Sequence, residues 1–153
     1  MQYIESAKEA DDGGCVFCAI LQGEDGGEER ILARSDLAFV TQAKYPYNPG
    51  HLLILPVRHT ADVEDVTAGE NAEIARFLQR SVRVLRETSD PHGFNVGLNL
   101  GRVAGAGIPE HLHWHVVPRW GGDTNFMPVI GETRVLPELL EESFRRLRPR
   151  FDG

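Results

Sequence analysis

Three histidines alternate with apolar residues in the last third of the chain, at His111, His113 and His115. In a β-strand, residues two positions apart point to the same face of the sheet. The pattern therefore predicts a strand over 111–118 that presents three imidazole rings on one face. The residues between the histidines form an apolar face suited to packing against a helix: Leu112, Trp114 and Val116. We expect the histidine face to line a polar site.

Two kinds of chemistry suit this face. A metal ion could take two of the rings, because His-x-His on a strand is a common chelate. At about 3.3 Å per residue, the backbones of the outer two histidines lie roughly 13 Å apart, so one ion with bonds of about 2 Å does not reach all three. Phosphoryl chemistry fits the array more easily. A histidine with its ordinary pKa of about 6.5 is largely neutral and nucleophilic at pH 7, and N–H groups beside it stabilise charge developing on phosphoryl oxygens.

The bulk properties limit the class of protein. With 153 residues, 41% hydrophobic and 25% charged, the chain has the size and composition of one soluble globular domain. Its net charge of −7 argues against a general nucleic-acid binder, although a small anionic substrate is compatible with it. No apolar run approaches the roughly 20 residues of a membrane span. Residues 1–14 are polar, which indicates a flexible tail and not a secretory signal. We expect a cytoplasmic protein with no nucleic-acid or membrane partner.

Periodicity predicts the elements that position the histidines. Thr67 with Glu70 three positions later indicates a capping box, and the apolar spacing that follows predicts a long amphipathic helix ending at Asp90. A second helix is predicted from Pro137 to Leu147. Apolar runs predict a hairpin and three further strands at 31–33, 37–41, 51–57, 94–100 and 111–118. The fold class is α+β: a mostly antiparallel five-stranded sheet with one long crossover helix and a C-terminal helix.

The chain contains two cysteines, Cys15 and Cys18, in a Cys-x-x-Cys arrangement. Two cysteines are too few for a disulfide framework. The pair alone is compatible with zinc binding, redox activity or chance. Two further ligands would complete a closed tetrahedral zinc site.

The arrangement of histidines over His111–Val117 resembles the signature of the histidine-triad (HIT) superfamily. Three further motifs occur in the order found in that family: Cys15–Cys18, Pro49–Pro56 and Gly93–Asn99. Two longer stretches, Tyr45–His51 and His115–Phe126, resemble the branch that contains bacterial diadenosine tetraphosphate phosphorylases. The resemblance implies a single HIT domain over 15–153 with a HIT-like fold, and a homodimer whose two sheets join across the two-fold axis.

The resemblance also implies a mechanism for dinucleoside polyphosphates. His113 would attack the α-phosphorus and hold a covalent nucleotidyl group, which water or inorganic phosphate would release. His115 would bind phosphoryl oxygens, and Asn99 would hydrogen-bond near the phosphates or ribose. Hydrolysis of nucleoside phosphoramidates, which uses the same nucleophile, and a nucleotide-binding sensor with little turnover are the alternatives.

Further assignments follow from the same resemblance. His59 and His111 would join Cys15 and Cys18 in a structural zinc site, with a zinc-free pair of thiols as the alternative. His51 would lie inside the protein near the site, within the set of nucleotide-binding residues. An apolar wall for adenine, with a role in the core as the alternative, is predicted from Phe17, Ile20 and Phe39.

The chain departs from the family pattern in two places. Ala43 stands where relatives often carry a ribose-binding Asn or Asp, with Gln42 and Thr41 as possible substitutes. Upstream of the triad, a loop containing Gly105 and Gly107 replaces the usual Ser, Thr or Gln. Backbone N–H groups of this loop could still bind phosphate. Arg102 or Arg119 could supply positive charge.

Overall fold

The computed structural model describes residues 14–24, 30–123 and 138–152 of the chain. The predicted tail over 1–14, apart from Gly14, and the predicted helix start at Pro137 lie outside these ranges. The helices are α1, α2 and α3, and the strands are β1 to β5. Their bounds are α1 Val16–Leu21, β1 Ile31–Arg34, β2 Ala38–Gln42, β3 Leu52–Pro56, α2 Ala68–Ser89, β4 Gly93–Leu98, β5 Trp114–Arg119 and α3 Leu140–Leu147.

The strands form one sheet in the order β1-β2-β3-β5-β4, and every neighbouring pair is antiparallel. Because β5 lies between β3 and β4, those two strands run parallel to each other. The long helix α2 makes the crossover connection between them, as a parallel pair requires. The predicted α+β class, five-stranded antiparallel sheet, crossover helix and C-terminal helix are therefore confirmed. None of the helices in the described part of the chain combines the length and apolarity that crossing a bilayer requires.

Both faces of the central strands are covered. Every residue of β2 and β3 is buried, which is why these strands are continuous apolar runs and do not alternate. Ile54 and Val116 face the cluster built with α2 and the C-terminal segment. Phe39 and Leu53 face the opposite cluster, which α1 covers. The sheet therefore holds the histidine segment between a helical layer and the small helix that carries the cysteines.

Helix α2 begins as the sequence predicts. The Thr67 side chain accepts a hydrogen bond from the Glu70 amide, and Glu70 in turn accepts one from the Thr67 amide. Arg58 also donates to both carboxylate oxygens of Glu70, at 2.9 Å each. These bonds, above all those from Arg58, lower the pKa of the Glu70 carboxyl to about 2. The helix ends at Asp90, whose backbone is left-handed with φ of 45°.

We predict that Glu70→Gln lowers the free energy of unfolding at pH 7 by about 1–2 kcal/mol, because it weakens a helix cap and a charged hydrogen bond. The folded-state pKa is below the ordinary value of 4.5, so this stabilisation is present above about pH 4.5 and is lost as the pH falls towards 2. Urea unfolding of wild type and variant at pH 7, 4 and 3 measures the difference. Glu87→Gln, on the exposed side of α2, is the control. A difference that does not shrink on acidification would contradict the assignment.

The histidine strand is shorter than predicted. The expected strand over 111–118 is observed as β5 from Trp114, so His111 and His113 precede the ladder. Pro56 at the end of β3 has no N–H to donate, and its carbonyl oxygen accepts from His111 Nε2 at 2.9 Å. This side-chain bond takes the place of a ladder bond. The predicted alternation still holds on the apolar side, where Leu112, Trp114 and Val116 all pack in the α2-side cluster.

Candidate active site

His113 is buried, and its backbone surroundings decide which ring nitrogen carries the lone pair. Its Nδ1 lies 2.9 Å from the backbone carbonyl oxygen of His111. Because a carbonyl oxygen only accepts, Nδ1 carries the hydrogen, and Nε2 carries the lone pair. Burial lowers the pKa of His113 below its ordinary value of 6.5. His113 is therefore a neutral imidazole with a lone pair on Nε2, which can attack an electrophile without a separate base.

His115 has the opposite tautomer, and a chain of hydrogen bonds sets it. The Tyr47 amide donates to Nδ1 of His51 at 3.1 Å, so His51 carries its hydrogen on Nε2. That Nε2 lies 2.9 Å from Nδ1 of His115 and donates to it. His115 therefore carries its own hydrogen on Nε2. This buried Nε2 has no hydrogen-bond partner among the described residues, although an unpartnered buried donor is costly.

The His115 ring is a donor in position to meet an anion. Burial lowers the pKa of His115 to about 4, so the ring is neutral at pH 7. Its centroid lies 5.0 Å from that of His113. The Nε2–H, which has no partner in the described part of the chain, thus stands beside the His113 ring, where it could donate to an anionic oxygen.

His111 is turned away from this pair. Its Nε2 donates to the Pro56 carbonyl, so Nδ1 carries the lone pair. That Nδ1 lies 3.3 Å from Cys15 Sγ and 3.7 Å from Cys18 Sγ. Burial is the main reason that the pKa of His111 falls below 6.5. The ring is held as a metal ligand is, with one nitrogen on a backbone carbonyl and the other on the sulfurs.

The four predicted zinc ligands lie together. Cys15, Cys18, His59 and His111 each offer one ligand atom, and these atoms all lie within 4.8 Å of one another. The Cys18 Sγ to His59 Nδ1 distance is 3.5 Å. Tetrahedral zinc, with bonds of about 2.3 Å to sulfur and 2.0–2.1 Å to nitrogen, separates neighbouring S and N atoms by about 3.6 Å. The observed separations of 3.3–3.7 Å fit that geometry.

The two sulfurs of the cluster lie close enough to oppose each other's ionisation. Burial and the neighbouring Cys15 sulfur raise the pKa of the Cys18 thiol to about 11. A divalent cation would offset the repulsion between the Cys15 and Cys18 thiolates and bind both of them. The donor set is that of a structural zinc site in its type, number and spacing.

The three residues predicted to contact an adenine ring lie in the buried cluster on the α1 side of the sheet. Phe17 contacts the His113 and His111 rings at 5.2 Å and 5.6 Å between centroids. Ile20 and Phe39 are buried in the same α1-side cluster, with Phe39 fully inaccessible. In this structure Phe17 packs against the histidine rings, and Ile20 and Phe39 pack with Phe17 in the same cluster. Their contact with adenine stays a prediction.

A cavity of about 490 Å³ is lined in part by His115. Asn99 belongs to its lining, next to the glycine loop, where Gly105 has a positive φ of 96° and its carbonyl lies 3.4 Å from Asn99 Nδ2. Gly107 is half-buried in that loop. The cavity is lined by Tyr47, Asn48, Asn95, Val96, Gly97, Leu98, Asn99, His115, Val117, Arg119 and Asp123.

The structure places the residues that were considered as substitutes where the chain departs from the family pattern. Thr41 is fully buried and donates to the Arg30 carbonyl, and Gln42 and Ala43 are buried as well. The charge of Arg119 is matched, because Nε and Nη2 each donate to Asp123 at 2.7 Å. Arg102 is exposed on a short 3₁₀ turn.

Sequence reasoning missed three contributors. The Tyr47 amide sets the tautomer of His51, the Pro56 carbonyl sets that of His111, and Asn48 joins two loops beside the cavity. Tyr47 and Pro56 act through backbone groups, which every residue type offers, so the sequence does not point to them. Asn48 lies in the stretch Tyr45–His51. The composition of that stretch is unusual for a loop, and this is the signal that could have pointed to Asn48.

The chain is similar to proteins of known sequence and structure. The family model of the HIT domain matches residues 26–122. A Mycobacterium tuberculosis protein named AP-4-A phosphorylase is 51% identical over 120 residues, which cover 78% of this chain and 62% of the relative. The chain thus spans about 62% of the length of that relative. An uncharacterized HIT-like protein of Methanocaldococcus jannaschii is 31% identical over 135 residues, covering 84% of this chain and 97% of the relative.

A solved structure agrees with the sequence comparisons. The crystal structure of a Zn-bound histidine triad family protein from Mycobacterium smegmatis has a TM-score of 0.73 and 30% identity to this chain. The match covers 91% of this chain and 94% of that one. The family model, the relatives, the sheet topology and the triad agree, and the chain belongs to the HIT domain family.

Proposed function

We propose that this protein cleaves dinucleoside polyphosphates of the diadenosine tetraphosphate type at an α-phosphate, through a covalent nucleotidyl-histidine. One observation carries the proposal: the ring of His113, with its lone pair on Nε2, lies 5.0 Å between centroids from the ring of His115, whose Nε2–H has no partner among the described residues. The relative named AP-4-A phosphorylase supports the substrate class.

The first step transfers the nucleotidyl group to His113. His113 Nε2 forms a bond to the α-phosphorus, and the bond from phosphorus to the bridging oxygen breaks, so the rest of the substrate leaves as a nucleoside polyphosphate. The Nδ1–H of His113 stays on the His111 carbonyl, which supports the positive charge of the phosphorylated ring. His115 donates its Nε2–H to a phosphoryl oxygen as charge develops there.

The second step regenerates the histidine. An oxygen of water or inorganic phosphate attacks the phosphorus, the N–P bond breaks, and its electron pair returns to Nε2; an attacking water releases its proton to solvent. Water gives a nucleoside monophosphate, and inorganic phosphate gives a nucleoside diphosphate. Asn99 and the N–H groups around Gly105 and Gly107 are the candidates for holding the oxygens during this exchange.

Product analysis tests the proposal. Purified protein is incubated with diadenosine tetraphosphate, with and without inorganic phosphate, and the nucleotides are separated by ion-exchange chromatography. ADP and ATP formed only with phosphate would mark a phosphorylase, and AMP with ATP would mark a hydrolase. An adenosine phosphoramidate is tested in parallel, and its faster turnover would favour that substrate class. Binding of nucleotides without turnover of any substrate would favour a sensor and contradict the proposal.

We also propose that Cys15, Cys18, His59 and His111 bind structural zinc. The ion would cross-link α1 to the segment that precedes β5 and so fix the backbone carbonyl of His111, which orients His113. The M. smegmatis relative, whose structure is described as Zn-bound, supports this assignment.

We predict about one zinc per chain, measured by mass spectrometry of protein purified without chelators. Cys15→Ser and Cys18→Ser should each reduce the metal content to near zero and lower the thermal midpoint, because metal binding and folding are coupled. Ser143→Ala, a buried polar change far from the cluster, controls for general destabilisation and should keep its zinc. Metal-free wild-type protein from zinc-supplemented medium would refute the assignment.

A homodimer joined through β4 is part of the same proposal. Within the described part of the chain this strand is an edge of the sheet with no further strand beside it, and Val96 on it is 50% exposed. Leu100 and Val103, which follow it, are exposed as well. Edge backbone and apolar side chains together favour pairing with a second copy. The mass in solution from sedimentation equilibrium tests it. The cytoplasmic location and the absence of nucleic-acid partners stay predictions.

A further inference from the structure

Two stretches of the sequence meet beside the triad. The loop Tyr45–Gly50 is joined to the turn after β5 through Asn48, whose Nδ2 donates to the Pro118 carbonyl at 2.9 Å and to Asp123 at 2.8 Å. Arg119 makes a bidentate ion pair with Asp123 and donates from Nη1 to Asn95 on β4 at 2.8 Å. The network fixes the Tyr47 loop, the turn and the edge strand as one wall.

Residues of that wall line one part of the cavity of about 490 Å³, and His115 lines another part. The volume lies within the range typical of small-molecule sites. His115 and Arg119 are four residues apart on one face of β5, so the cavity extends roughly 13 Å along the strand. His115 lines the cavity and His113 does not. A phosphate chain that starts at the nucleophile and passes His115 therefore enters this space.

The charge of the wall is unsuited to a phosphate group. Among the described residues that line the cavity, Arg119 is the one cation, and its partner Asp123 neutralises it. The guanidinium, with the Trp120 and Asn48 donors, holds the pKa of Asp123 well below its usual range. A side-chain cation binds phosphate well when its charge is not already paired with a carboxylate. The wall offers amides, an aromatic ring and a neutralised guanidinium instead.

These groups suit the base of a nucleoside. One face of the Tyr47 ring stacks on His51 at 4.9 Å between centroids, and 43% of the residue is still exposed. Aromatic rings placed in this way stack on bases. Asn95 receives the Arg119 hydrogen bond on Oδ1, which directs its Nδ2–H₂ to other acceptors, such as a ring nitrogen of a base. The hydrogen bonds of Asn48 hold the platform before any ligand arrives, which lowers the entropic cost of binding.

We infer that this cavity binds the nucleoside of the departing half of the substrate, with Tyr47 as the stacking platform and Asn95 as a polar contact to the base. The inference rests on the proposed function for the identity of the departing half. It assigns selection of the second nucleoside to residues outside the triad. Its ligand class is a nucleoside attached to the phosphate chain beyond the scissile bond.

The test compares two ligands that share an adenosine and four phosphates and differ in the second nucleoside: diadenosine tetraphosphate and adenosine 5′-tetraphosphate. Affinities are measured by calorimetry on His113→Ala protein, so that no turnover occurs. We expect the dinucleotide to bind at least about tenfold more tightly. Tyr47→Leu and Asn95→Ala should each remove most of that advantage and change the affinity for adenosine tetraphosphate less than about twofold.

Two further variants sharpen the result. Tyr47→Phe keeps the ring and should keep the advantage, and Arg83→Ala, exposed on α2, should change neither affinity. Equal affinities of the parent protein for the two ligands, or equal losses for both in Tyr47→Leu, would overturn the subsite. If neither ligand binds, both the proposed function and the subsite are wrong. Preferential binding without turnover by the intact enzyme would support the subsite and contradict the proposed function alone.

Discussion

His113→Ala is expected to lower kcat for diadenosine tetraphosphate by at least about 10⁴-fold, because the variant lacks the proposed nucleophile. The lone pair of His113 Nε2 is held in place by the bond from Nδ1 to the His111 carbonyl. The substitution leaves that carbonyl, His115 and the cavity unchanged, so nucleotide affinity should stay within a few-fold of wild type. Release of ATP over time gives kcat, and calorimetry gives the dissociation constant.

Two controls separate chemistry from folding in this experiment. Arg83→Ala should keep wild-type turnover, and the thermal midpoint of His113→Ala shows whether the variant is folded. Acid-quenched wild type should gain the mass of one nucleotidyl group during turnover, and His113→Ala should not. A folded alanine variant that retains a tenth of wild-type kcat would remove His113 from the mechanism.

The fold was predictable where local signals and burial agree. The capping box at Thr67 and the apolar spacing of α2 predict the helix correctly, because both act within a few residues. The apolar run of β3 predicts a strand buried on both faces. The start of β5 was not predictable. It depends on a bond from His111 to the carbonyl of Pro56, 55 residues away in sequence, and no local preference encodes it.

For the candidate site, the sequence predicts residues but not the roles of their atoms. Alternation places three rings on one face, and the resemblance assigns the zinc ligands that the structure brings together. The tautomers depend on which backbone groups lie nearby: a carbonyl beside Nδ1 of His113 and an amide beside His51. Arg119, considered as a source of free charge, is paired with Asp123 four residues later. The presence of Asp123 so near in the sequence could have indicated that the charge of Arg119 is paired.

The second large effect concerns His115. His115→Ala should lower kcat by about 10²–10³-fold, the usual effect of losing one donor to a developing anion. It also leaves the Nε2–H of His51 without its acceptor. His115→Gln can accept from His51 and still offer an amide N–H, so it should recover part of the loss. Equal losses in the two variants would contradict a donor role, and full activity of the alanine variant would exclude His115 from the site's chemistry.

The pH dependence distinguishes a neutral donor from a cationic one. The Tyr47 amide makes Nδ1 of His51 an acceptor, so a proton on Nδ1 of His115 would face the Nε2–H of His51 across 2.9 Å. This conflict and burial oppose the charged form, in agreement with the lowered pKa of about 4. The ratio of wild-type kcat to that of His115→Gln should therefore stay constant from pH 8 to about pH 5. It should fall only as the pH approaches 4. A ratio that rises on acidification through about pH 6.5 would identify the imidazolium as the working form.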